Sequence, residues 1–156
     1  MQKQDSGELQ TTFQIPFYYS PLWQNPTKPE NSAYCTVLVV DDDQATRELM
    51  RLYLKSLGHN VLLAENGTEA LEYVKNEPLD LIILDIILPE RDGLVICAAI
   101  RQLVETPILM LTAANKIEYA ARAFQLGADG YITKPFTFNT LKMRIRTFLS
   151  EQPARD

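Results

Sequence analysis

The chain has 156 residues, a length that fits one domain with a short surplus. Hydrophobic residues make up 46%, enough for a core, and the formal net charge of −5 argues against a polyanion as the main partner, because neutralising phosphates needs a basic surface. No stretch approaches the length of a membrane span, and no basic start and apolar run mark a secretory signal, so a cytoplasmic chain without membrane contact is expected.

Residues 1–33 form a proline- and aromatic-rich extension. Pro16, Pro21, Pro26 and Pro29 each remove a backbone donor and restrict the preceding residue, so an irregular path is expected. Phe13, Ile15, Phe17, Tyr18, Tyr19, Leu22 and Trp23 cluster within it. Two readings are open: a leader or strap lying on the domain, and a docking element for a partner.

From residue 34 the pattern becomes regular. Cys35 to Val40 is a short apolar run that predicts a buried strand, ending at Asp41, Asp42 and Asp43. Ala45, Leu49, Tyr53 and Leu57 recur every fourth residue and predict one face of a helix, stopped by Gly58. Asp43 is its expected cap. His59 is expected in a surface loop. Val61 to Ala64 predicts a second strand, and Asn66 caps a helix running through Val74. Leu81 to Leu84 predicts a third strand, ending at Asp85, followed by a helix from Leu94 to Leu103. Ile108 to Leu111 predicts a fourth strand, ending at Thr112, followed by a helix from Ile117 to Leu126 and a stop at Gly127. Tyr131 to Thr133 predicts a short fifth strand, ending at Lys134. Thr137 then caps a helix from Phe138 to Leu149, and 151–156 read as a frayed polar tail.

Five strands alternating with five helices imply an α/β fold, a parallel sheet wound on both faces. Ligands of such sheets bind beyond the carboxyl ends of the strands. Asp41, Asp42, Asp85, Thr112 and Lys134 all stand there. Three crowded carboxylates repel one another and call for a cation; an all-oxygen set suits Mg2+, with Mn2+ as an alternative. A carboxylate beside such an ion can act as a nucleophile toward a phosphoryl group. Taken singly, each of these residues is weak: an aspartate after a strand is commonly a helix cap. Their joint placement at four strand ends carries the signal. The lone His59 and the distant Cys35 and Cys97 make no zinc-type cluster, and the cysteines read as reduced and buried.

The stretches VLVVDDD (37–43), LIILDIILPERDG (81–93), PILMLTA (107–113) and GADGYITKPF (127–136) resemble, in this order, the receiver domain of two-component response regulators of the CheY type. The resemblance covers 34–150, and PILMLTA with KPFTFNTLKMRIRTFL is closest to the OmpR-type subgroup. It implies a doubly wound (βα)5 fold with sheet order 2-1-3-4-5. It also implies that Asp85 is the phosphoacceptor and that Asp42, Asp85 and the backbone carbonyl of Ile87 ligate Mg2+, with Asp41 acting through a bound water. Thr112 is then the switch hydroxyl, Lys134 the phosphoryl-pairing lysine, Tyr131 the switch aromatic, and the Lys134–Pro135 bond is cis. The implied phosphodonor is a sensor histidine kinase or a phosphotransfer protein. The implied output runs to a downstream effector through the face of helix four, strand five and helix five, here with Lys116, Arg122, Asp129, Lys142, Arg144 and Arg146, each of which, taken singly, reads as a solvated surface charge. A phosphorylation-dependent homodimer on that face is implied by the OmpR-type wording.

OmpR-type regulators carry a winged-helix DNA-binding domain after the receiver; these 156 residues end shortly after helix five, and no direct nucleic-acid contact is expected of them. Ile87 and Ala114, two positions past Asp85 and Thr112, offer no side chain to orient an attacking water, so slow self-dephosphorylation is expected. The chain is thus read as a phosphoacceptor and not as an enzyme. A haloacid-dehalogenase-type phosphatase would carry Thr or Val where Ala45 stands. A receiver-like interaction module that works without phosphorylation is the alternative, disfavoured by the intact set of charged and hydroxyl residues.

Overall fold

The computed structural model describes residues 35–113 and 117–150; the extension over 1–33, the tail over 151–156, and Ala114 and Lys116 lie outside the described residues. Among the described residues ten elements alternate: β1 Thr36–Val40, α1 Gln44–Ser56, β2 Asn60–Ala64, α2 Gly67–Asn76, β3 Leu81–Asp85, α3 Gly93–Leu103, β4 Ile108–Ala113, α4 Ile117–Gln125, β5 Gly130–Lys134 and α5 Phe138–Ser150. All four strand pairings are parallel, and the sheet order is 2-1-3-4-5. This is the doubly wound α/β fold expected from the sequence.

Successive strand residues point to opposite faces, and here both faces are covered. Val37, Val39, Leu81, Ile83, Leu109 and Leu111 pack under α1 and α5, against Met50, Leu54, Leu141 and Ile145. Leu38, Val40, Ile82, Leu84, Ile108 and Met110 pack under α2, α3 and α4, against Val74, Ile96, Ile100 and Ala123. β3 lies in the middle of the sheet, and every one of its five residues is buried. Each fully buried aliphatic side chain contributes about 1.5–3 kcal/mol relative to exposure, so this double layer is the main source of stability.

Several local expectations hold. Asp43 caps α1, accepting the Thr46 N–H at 3.0 Å, and Asn66 caps α2, accepting the Glu69 N–H at 2.8 Å. Thr137 Oγ1 accepts the Thr140 N–H at 3.0 Å at the start of α5. Gly58, at φ +93°, follows the last turn of α1, donating to Lys55 O while His59 donates to Leu54 O. Cys97 is buried as expected, while Cys35 is half-buried. Among the described residues, no helix is long and apolar enough to cross a membrane.

Three expectations are corrected. The buried face of α1 is Met50 and Leu54, while Ala45 and Leu49 on the predicted face are exposed. Apolar residues at 49, 50, 52, 53 and 54 fit two overlapping four-residue periods, and packing against the sheet selects the one a residue later. His59 lies in the loop between α1 and β2 as expected but is half-buried, and its Nδ1 accepts the Cys35 N–H at 3.2 Å, fixing the start of β1. Asp129 is not a free surface charge: Oδ2 pairs with Arg101 at 2.8 Å and accepts the Ile108 N–H at 2.9 Å. The strands also run further than predicted. Asp85 pairs with Leu111, Thr112 with Thr133, and Ala113 with Lys134, so parallel neighbours carry the ladder through the polar residues at the strand ends.

Candidate functional site

The carboxyl ends of β1, β3 and β5 bring Asp41, Asp42, Asp85 and Lys134 together. One ligand oxygen from each of the three aspartates lies within 4.8 Å of the others. Asp41 is wholly buried and Asp85 nearly so, while Asp42 is exposed and leaves the cluster open on one side. Lys134 Nζ lies 2.9 Å from Asp41 Oδ2 and 2.9 Å from Asp85 Oδ2, a single ammonium shared by two carboxylates.

Each buried carboxylate oxygen has a partner. Asp41 Oδ1 accepts the Asp43 N–H at 2.9 Å, which ties the aspartate run into the turn that starts α1. Asp85 Oδ1 accepts the Ile87 N–H at 3.0 Å. Ile87 therefore meets the site through its backbone, while its side chain is 55% exposed. Burial pushes the Asp85 carboxyl above the ordinary carboxylate range, against the opposing pull of the Lys134 ammonium and the Ile87 N–H. Burial alone would lower Lys134; its bonds to Asp85 and Asp41 outweigh that and hold it above the usual lysine value. The ammonium thus stays charged between its two carboxylates.

The remaining predicted residues stand at the rim. Thr112 is buried near the end of β4, and its hydroxyl donates to the carbonyl of Ala113 at 3.3 Å. Tyr131 is half-buried on β5. Its ring meets Phe124 of α4 edge-on at 5.9 Å, and the Arg144 guanidinium lies 6.0 Å from its centroid. Tyr131 is therefore directed toward α4 and α5. The Lys134–Pro135 peptide is cis.

Two supporting residues escaped the sequence reading. Arg47 Nη1 donates to the backbone carbonyl of Asp41 at 2.7 Å, holding the end of β1 from the first turn of α1. Its signal was weak, a single arginine on a helix. Gly93 packs on the backbone of the site strand: a Cβ there would come within 2.3 Å of Asp85 O and 2.6 Å of Ile86 Cα. Its N–H donates to Ile86 O at 2.7 Å. An Asp-Gly pair ahead of a helix marks this position, because Asp92 supplies the cap and the glycine the space.

An all-oxygen donor set this close, open on one side and carrying more negative charge than one lysine balances, fits a hard divalent cation such as Mg2+ or Mn2+. The arrangement combines a nearly buried carboxylate, a fixed ammonium and such a donor set, which are parts that phosphoryl transfer requires.

Comparison with known proteins agrees with this geometry. The model of the response regulator receiver domain family matches residues 37–146. Among solved structures, the chain is similar to a two-component response regulator from Clostridium difficile, with 29% identity and a TM-score of 0.73 over 75% of this chain and 97% of that one. It is also similar to a CheY-like response regulator receiver domain protein from Methanospirillum hungatei JF-1, with 29% identity and a TM-score of 0.73 over 76% and 96% of the two chains. The receiver domain of NtrX from Brucella abortus matches with 32% identity and a TM-score of 0.71 over 74% and 99%.

Proposed function

The chain belongs to the response regulator receiver domain family, and from that premise we propose that it is a phosphoacceptor switch that takes a phosphoryl group onto Asp85. The donor is the phosphohistidine of a sensor histidine kinase or a phosphotransfer protein. The single observation that carries this reading is the Lys134 ammonium held 2.9 Å from both Asp41 and Asp85.

The roles follow from position. Asp85 ends the central strand, and the Ile87 N–H fixes one carboxylate oxygen through Oδ1. Lys134 contacts Oδ2; when that oxygen attacks phosphorus, the N–P bond of the phosphohistidine breaks, an acyl phosphate forms, and the ammonium is free to pair with a phosphoryl oxygen. Thr112 stands on the neighbouring strand, where its hydroxyl can leave Ala113 O for a phosphoryl oxygen. Asp41, Asp42, Asp85 and the Ile87 carbonyl would hold Mg2+, with Mn2+ as an alternative, and a bound ion supplies positive charge against the phosphoryl oxygens. Tyr131 follows Thr112 inward, leaving Phe124 and Arg144, and this re-forms the α4–β5–α5 face that an effector reads. The transition shifts an existing equilibrium, biased by whichever state the phosphoryl group binds better. The wording of β4 and α5 is closest to the OmpR-type subgroup and supports a phosphorylation-dependent homodimer on the same face. The protein acts in the cytoplasm and serves as a stoichiometric acceptor, not a turnover enzyme.

The test is incubation with Mg2+ and acetyl phosphate, followed by intact mass. The native chain gains one phosphoryl group and Asp85→Ala gains none. A folded native chain that gains nothing overturns the reading and leaves the phosphorylation-independent interaction module.

A further inference from the structure

α1 presents an apolar stripe to the outside of the domain. Leu49 is 53% exposed and Leu52 is 56% exposed. With Tyr53 they are spaced as neighbours on one helix surface. The stripe continues onto α5, where Phe138, 39% exposed, stacks on the Tyr53 ring at 4.4 Å with 14° between the planes. The Tyr53 hydroxyl donates to Phe138 O at 3.1 Å and locks the two helices together there. Four large apolar side chains thus form one continuous surface.

We propose that residues 13–23 of this same chain, FQIPFYYSPLW, lie along this stripe. The path of the backbone favours it. Cys35 is held at the C-terminal end of α1, with its N–H on His59 Nδ1 and its carbonyl accepting the Asn60 N–H at 2.8 Å. β1 therefore begins beside the end of α1. The stretch between Trp23 and Cys35 reaches about 40 Å when extended, roughly twice the ~20 Å length of α1. The chemistry matches as well. Residues 13–23 carry no charged side chain and offer five aromatic rings with Ile15 and Leu22, surface that is costly to leave in water. Pro16 and Pro21 limit the freedom lost on docking. Among the described residues, Ile87, Val95, Leu103, Ile117, Phe124 and Met143 are also exposed, but none of them has a ring or hydrogen-bond contact that joins it to α1 as Phe138 is joined to Tyr53. Ile117 and Phe124 stand on α4, which packs on β4 and β5, at the far side of the sheet from β1.

Trp23 is the chain's one tryptophan, so it reports the contact directly in the full-length protein. Emission of the native chain is expected to be blue-shifted from that of the urea-unfolded chain and shielded from acrylamide. Leu49→Glu/Leu52→Glu is expected to move both toward the unfolded values while far-UV circular dichroism stays native, since both sites are exposed and glutamate suits a helix. Met143→Glu is the control and is expected to change neither. Native emission already at the unfolded position overturns the proposal. So does a blue shift that survives the α1 variant or responds instead to Met143→Glu. A blue shift that vanishes on dilution also overturns it, because a second copy then covers the segment. Neither readout uses phosphorylation, so the result is independent of the phosphoacceptor reading.

Discussion

Gly93 rests directly on the backbone of Asp85, with room for a hydrogen but not for a methyl group. A Cβ at position 93 would stand 2.3 Å from the Asp85 carbonyl oxygen, and backbone atoms there have no rotamer by which to yield. Gly93→Ala is therefore expected to push α3 off β3 and to disturb the turn that carries the Ile87 N–H. Overpacking of this kind costs about 1–3 kcal/mol. Urea unfolding should record that loss, and the rate of phosphorylation by acetyl phosphate should fall with it.

Removing the Lys134 charge while keeping its length separates two roles. In Lys134→Met the carboxylates of Asp41 and Asp85 lose their shared ammonium, and their repulsion goes unopposed. The variant is expected to be less stable than the native chain in EDTA. It is also expected to gain more from added Mg2+, because the ion then faces the full negative charge. Thermal unfolding with and without MgCl2 measures both effects. Equal gains in the two proteins would show that the lysine and the ion do not share the cluster.

Cys97 provides a test of packing through pH. Burial raises its thiol to about 11, with the nearby Arg101 charge opposing and Asp129 adding to the shift. The folded value lies above the unfolded one, so folding favours the protonated thiol. That contribution is complete below the unfolded value, near 8.5, and is lost as pH rises toward 11. Stability should therefore fall over this alkaline range, and less so in Cys97→Ala once its own packing loss is subtracted. A thiol reagent at pH 8 should titrate Cys35 in the native protein and reach Cys97 only after unfolding.

The side chain of Ile87 projects outward beside Asp85 without a polar atom to orient water. Ile87→Asn is expected to shorten the lifetime of the Asp85 phosphoryl group several-fold, with little effect on stability because the site is exposed. Loss of label followed by intact mass, after removal of the phosphodonor, gives the half-lives. Equal half-lives would show that water at this position does not limit hydrolysis.

Arg101 joins segments that meet at the opposite edge of the sheet. Its guanidinium donates to Gly127 O at 2.9 Å, Val104 O at 3.1 Å and Thr106 O at 3.0 Å, and it pairs with Asp129. Arg101→Ala removes this donor from the three carbonyls, while Asp129 keeps the Ile108 N–H, and is expected to cost about 1–3 kcal/mol. Arg101→Lys recovers little, because one ammonium lacks the fork that reaches three carbonyls. Chemical unfolding of the three proteins decides.

The strand ends were legible in the sequence because each is a short apolar run closed by one charged or hydroxylic residue. Asp85, Thr112 and Lys134 could be aligned on one edge from topology alone. The phase of α1 was not legible: with apolar residues at 49, 50, 52, 53 and 54, local periodicity admits two faces, and only the sheet beneath selects Met50 and Leu54. Asp129 and His59 were misread for a related reason. A lone charge or imidazole in a loop looks solvated until its distant partners, Arg101 and Ile108 for one and Cys35 for the other, are brought to it. Arg47 was missed because it acts on a backbone carbonyl, which a single arginine on a helix does not signal, and Gly93 because its Asp-Gly mark reads as an ordinary helix start until the strand beneath is seen.

The position of Asp85 at the end of a wholly buried central strand has a consequence for motion. Opening β3 requires breaking ladders with both β1 and β4, so its amides should be among the slowest to exchange with deuterium. Lys134 stands on β5, which among the described residues pairs with β4 alone. The proposed phosphoacceptor is thus fixed to the part of the molecule that opens least, and the lysine facing it to a part that opens more readily. On that proposal, the rearrangement that follows phosphorylation would proceed around a stationary Asp85.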